Sequence, residues 1–134
     1  MSKERFAERK VELQNAVKRL REAVAHPEND LVRDAVIQRF EFTFELIWKS
    51  LKLYLDRQGL DSGGPRSTLK KAFIEGLISS PGDADAWLRA LEDRNLTSHA
   101  YAEALATRIY QHVVQEHVAL LGQMADKIQT LSWE

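Results

Sequence analysis

One stretch constrains the fold more than any other: from Leu31 to Gln58 no Gly or Pro interrupts the chain, and apolar residues fall on two helical stripes at once. Val36, Phe40, Phe44, Ile47, Leu51 and Leu55 follow one stripe, and Phe42, Leu46 and Leu53 follow a second. Inside it, Phe40 to Leu46 reads FEFTFEL, an apolar–polar alternation that taken alone signals a strand. Length and flanks decide for a helix, because the first stripe continues on both sides of the alternation and only Gly59 stops it. A helix apolar on two sides has to be covered on two sides, which predicts a place at the centre of the fold or in a dimer interface. Its polar residues Glu41, Glu45 and Lys49 recur every four positions and read as an ordinary helical charge ladder rather than catalytic carboxylates.

The remaining segments are helical as well. A first helix is predicted from about Lys3 to Ala25, with Phe6, Leu13, Val17, Leu20 and Val24 on one stripe, ended by His26 and Pro27. Its surplus of basic side chains reads as a solvated face, and Asp30 is the expected cap of the next helix. After the loop from Leu60 to Pro65, Ser67 is expected to cap a short helix from Thr68 to about Glu75, with Leu69, Phe73, Leu77 and Ile78 packing inward and Gly76 ending it. Arg66, Lys70 and Lys71 make a small exposed basic cluster there. Asp83 and Asp85 open a further helix, where an acidic cap and the helix dipole account for them. They are not the magnesium-binding pair of a nucleotidyltransferase, which needs a strand and an upstream Gly-Ser. Trp87, Leu88 and Leu91 supply that helix with a buried face. A last helix, from about Ala102 to Leu131, carries so few charges that cover by another subunit is expected. His112 and His117 lie on it five residues apart, which on an α-helix places them on different faces. With no third ligand in view they read as structural, and neither a metal site nor a cofactor is expected.

Composition sets outer bounds. The 134 residues make one helical domain, residues 1–134, and 44% hydrophobic with 29% charged residues is globular. The net charge of −1 argues against a surface that is a nucleic-acid footprint throughout. The lack of Cys, of any membrane-spanning run and of a signal-like N-terminus predicts a cytoplasmic protein.

Chemistry concentrates in Asp93 to Tyr101, DRNLTSHAY. Arg94 is a fixed cation whose planar fork matches phosphate oxygens, and His99 is suited to move a proton, together a minimal kit for a phosphodiester. The two are five residues apart, about 140° around a continuous helix, so they serve one site only if the helix ends between them or a dimer joins two copies. Thr97 and Ser98 are poor helix formers and predict that end.

With QRFEFTFELIWKSLKLYL from Gln38, PRSTLKKAFIEGLI from Pro65 and WLRALEDRNLTSHAY from Trp87, the chain resembles the nucleotidyltransferase substrate-binding subunits of the HEPN superfamily, from about Asp30 to Val118. Arg94, Asn95 and His99 match that superfamily's R-x4-6-H signature, and Tyr101 completes R-x4-H-x-Y. The resemblance implies an all-α, up-and-down bundle of four to five helices, homodimeric, paired with a minimal nucleotidyltransferase encoded nearby. It implies one of two roles. One is a toxin-type, metal-independent endoribonuclease acting through Arg94, His99 and Asn95, with Tyr101 as the acceptor of a nucleotide from the partner. The other is a subunit that binds a substrate, RNA or nucleotide, and does no chemistry.

Overall fold

The computed structural model describes residues 2–134, and among them every regular element is helical. Six α-helices follow one another: α1 (Ser2–Ala25), α2 (Asp30–Arg57), α3 (Pro65–Ile74), α4 (Pro81–Leu96), α5 (Glu103–His112) and α6 (Val118–Thr130). A 3-10 turn, Thr97–His99, follows α4, and a π turn, Val113–His117, joins α5 to α6, so the last two helices form one long rod. The result is a bundle of five rods, at the upper end of the expected four to five.

The stretch with the strand-like alternation is helix throughout. Phe40, Phe44, Ile47, Leu51 and Leu55 of α2 are fully buried, while Phe42, in the middle of the alternation, is 58% exposed. One stripe of α2 therefore faces the core. The second is covered only in part, with Leu46 buried and Leu53 half-buried. α1 lies along α2, α6 packs on both, and α3 pairs with α2 and with α4. Aromatic contacts tie the layers: the Phe44 ring meets Trp87 of α4 at 5.9 Å between centroids, and Phe40 stacks on His117 of the π turn at 5.2 Å. The chain end closes over the far side, where Trp133 packs on Phe6 at 5.5 Å and Lys10 donates to the carbonyl of Leu131.

Three helix starts differ from expectation. Asn29, not Asp30, caps α2, its Oδ1 accepting from the Val32 amide at 2.8 Å. The short third helix begins at Pro65 rather than Thr68, because proline's fixed φ suits the first helical position and its missing N–H is not needed there. The same rule starts α4 at Pro81, with the Ser80 hydroxyl accepting from the Asp83 amide at 3.1 Å. Asp83 thus lies in the first turn and is not the cap. Phe73, expected inside, is 38% exposed, because the last turn of α3 puts Ala72 and not Phe73 against the core.

Phe44 touches two aromatic neighbours from a fully buried position. Phe44→Ala is expected to destabilise the fold by about 3–5 kcal/mol, read from urea unfolding.

Candidate functional site

The helix end expected between Arg94 and His99 is present. α4 stops at Leu96, and the next three residues tighten into the 3-10 turn. Thr97 is the reason locally, since its hydroxyl donates to the Arg94 carbonyl at 2.7 Å and also reaches Glu41 Oε2 of α2 at 2.8 Å. The break turns Arg94 and His99 in different directions. The Arg94 guanidinium reaches across to α2, where Nη2 pairs with Glu45, while Nη1 donates to the Asn95 side chain at 3.1 Å. His99 is exposed on the turn, its ring edge-on to Tyr101 at 6.1 Å, and Tyr101 is 86% exposed. Asn95 is exposed too. Within one chain, then, the four motif residues line the corner after α4. Arg94 is anchored, and the imidazole and phenol are free to meet a ligand.

In the sequence Glu45 is one rung of a charge ladder with Glu41 and Lys49, a reading that misses its position in the fold. Glu45 accepts from the Trp48 indole at 2.7 Å, lies 3.8 Å from Lys49, and pairs with Arg94. Glu41 holds Thr97. Two carboxylates of α2 thus hold the Thr97 side chain at the helix end and the motif's cation. The spacing of four was the available signal, but nothing local says which helix faces it.

A second cluster lies one residue before Arg94. Asp93 is buried, and one of its oxygens, Oδ2, meets both His112 Nδ1 at 2.8 Å and His117 Nε2 at 2.6 Å. The expectation that the two histidines occupy different faces fails because the segment between them is not α-helical. In the π turn the Val118 amide bonds the Val113 carbonyl, an i→i+5 pattern that brings residues five apart onto one face. Burial alone would raise the Asp93 carboxyl, but the hydrogen bonds from His117 and His112 outweigh it and hold the group below the usual carboxylate range. These groups border a cavity of about 490 Å³ that Arg89, Glu92, Arg108 and Glu116 also line. Arg89 grips Glu116 through two hydrogen bonds of 2.9 and 3.0 Å, which keep that carboxyl below its ordinary range as well.

Comparison with known proteins agrees with the architecture. Residues 8–130 match the family described as nucleotidyltransferase substrate binding protein like. The chain belongs to that family. As a nucleotidyltransferase substrate-binding-like protein it is similar to the probable ribonuclease HepT of Haemophilus influenzae, 32% identical over 89 residues, which are 63% of this chain. It spans 59% of that relative's length. A protein of Thermus thermophilus with a known crystal structure superposes with a TM-score of 0.79 at 33% identity, over 87% of this chain and 98% of the other. The HEPN resemblance drawn from DRNLTSHAY and the α2 stretch is borne out by the family match and by the HepT relative.

The Glu45–Arg94 pair is about three-quarters buried on both sides. A double-mutant cycle with Glu45→Ala and Arg94→Ala, measured by urea unfolding, is expected to give a coupling of about 1 kcal/mol, at the upper end for partly exposed pairs.

Proposed function

We propose that this chain is the HEPN subunit of a two-component minimal nucleotidyltransferase system and acts as a metal-independent endoribonuclease that the partner nucleotidyltransferase silences. The observation that carries the reading is the corner after α4, where an anchored guanidinium, an exposed imidazole and an exposed phenol come from eight consecutive residues, Arg94 to Tyr101. In the proposed reaction His99 takes the proton of a ribose 2′-hydroxyl as its oxygen attacks the adjacent phosphorus. The bond to the 5′-oxygen breaks, that oxygen takes a proton from water, and the product strand ends in a 2′,3′-cyclic phosphate. Arg94 offsets the charge that builds on the phosphoryl oxygens, and Asn95, bonded to it, orients the fork. The pair with Glu45 uses only part of the five-donor guanidinium and keeps its position fixed before substrate arrives.

A homodimer completes this reading. Phe42 is 58% exposed on the helix that also holds Glu41 and Glu45, and a two-fold axis over that face brings two copies of the corner towards a shared cleft. The partner nucleotidyltransferase then transfers AMP from ATP to Tyr101, whose exposed hydroxyl is accessible, with pyrophosphate leaving, and the bulky anion blocks the phosphate position beside His99. Both proteins act in the cytoplasm.

The alternative role, a subunit that binds substrate for the nucleotidyltransferase without cleaving it, is favoured by one feature, the neutralisation of Arg94 by Glu45. Growth separates the two. Expression without the neighbouring gene is expected to arrest growth, and His99→Ala to restore it while lowering cleavage by the purified protein about 10²–10⁴-fold. Harmless expression of the unaltered chain together with intact RNA would leave the binding role. Co-expression with the active partner is expected to add one AMP to the peptide containing Tyr101, seen by mass spectrometry and absent in Tyr101→Phe.

A further inference from the structure

The cluster behind the motif has a hydrogen-bonding fault that proton placement does not repair while both imidazoles are neutral. Asp93 Oδ2 faces a nitrogen of each ring, so both N–H bonds must point at it: His112 at 2.8 Å and His117 at 2.6 Å. That leaves His117 Nδ1 as a bare lone pair, in a side chain 1% exposed, with no hydrogen-bond partner. Its nearest charged neighbour is another acceptor, Glu116 Oε1, at 3.9 Å. A buried polar nitrogen without a partner costs about 1–3 kcal/mol.

We infer that Asp93, His112 and His117 form a binding site for one divalent cation of the zinc class. Coordination reverses each ring's polarity. The lone pairs of His112 Nδ1 and His117 Nε2 turn to the metal beside the Asp93 carboxylate, and each ring's proton moves to its other nitrogen, with no net change in protons bound. His117 Nδ1–H then points towards the Glu116 carboxylate, 3.9 Å away, which has to close by about half an ångström to accept it as the outer acidic partner that metal-bound histidines usually have. Glu116 is itself held by Arg89, which fixes its place. Two imidazoles and one carboxylate suit zinc or cobalt over magnesium or calcium, and three protein ligands leave a position open towards the cavity.

The geometry is near what such an ion needs. The three ligand atoms lie within 4.8 Å of one another. Metal–ligand bonds of about 2.0–2.2 Å at tetrahedral angles set neighbours roughly 3.3 Å apart, so the contacts to Asp93, now 2.8 and 2.6 Å, open by about 0.5 Å at His112 and about 0.7 Å at His117. His112, with 45% of its side chain exposed, has room for that shift. The cavity lining adds three carboxylates, Glu92, Asp93 and Glu116, against two guanidiniums, Arg89 and Arg108, a balance that favours a cation. The ion joins the last turn of α4 to the π turn and takes no part in RNA cleavage, so it stands or falls apart from the proposed ribonuclease activity.

The test uses the purified full chain, stripped with chelator and titrated with Co²⁺ and then Zn²⁺. One Co²⁺ per chain, with visible d–d absorption that Zn²⁺ abolishes, is the expected result, together with a rise in melting temperature. His112→Gln should weaken Zn²⁺ binding in calorimetry by more than about tenfold, the loss that even an outer partner can cause. Its half-exposed position lets the variant fold, which far-ultraviolet circular dichroism checks. His26→Ala, at an exposed position just after α1, should bind as the unaltered chain does. No stoichiometric Co²⁺ spectrum, or binding that survives His112→Gln or is lost in His26→Ala, overturns the site.

Discussion

The aromatic column on α2 is the contact on which the other helices depend. Phe40 stacks on His117 and Phe44 packs on Trp87, so one helix sets the positions of both the π turn and α4. Both rings are fully buried and touch each other across one helical turn, 6.2 Å between centroids. The neighbouring polar stripe does the complementary work, Glu41 and Glu45 holding Thr97 and Arg94. The corner that carries the R-x4-H-x-Y residues is therefore held from one side by apolar burial and from the other by charge. A loop carrying the same residues would lose the entropy of ordering them each time a ligand bound.

α4 serves two clusters with adjacent residues. Successive positions on a helix point about 100° apart, so Asp93 turns to the π turn while Arg94 turns to α2. The same turn of backbone ends in the helix break at Thr97. A shift of α4 along its axis would disturb the carboxylate of one cluster and the cation of the other together, which couples them mechanically although no side chain is shared.

Much of this was legible in the residues themselves. The helix of α2 followed from a stripe that outlasts its own strand-like core, and the end of α4 followed from Thr97 and Ser98, because both depend on local propensity. The caps were less legible: Asn29 and Asp30 are both good caps, and which of them the helix uses is settled by a single backbone geometry. Pro65 outweighed Ser67 because fixing φ at the first helical position acts on the backbone directly. The role of Glu45 was hidden because its partner is 49 positions away, at a distance only packing determines. His112 and His117 misled for a different reason, since counting residues per turn assumes the turn is α-helical, and no side chain between them announces otherwise. The proposed homodimer pairing and the proposed acceptor role of Tyr101 involve surfaces that face outward from one chain.

The π turn also changes what kind of sequence variation the last rod tolerates. It holds one residue more than an α-helix would use to connect the same two apolar faces, so the stripes of α5 and α6 are phased independently. Were Val113–His117 to wind as an α-helix at its present length, either the Ile109 side or the Leu121 side would rotate about 100° away from α2. The phase rests on the winding of the turn, and with one residue fewer an α-helix would connect the same two faces. The number of residues between His112 and Val118 and the π winding of the turn are thus matched to each other, separately from what those residues are.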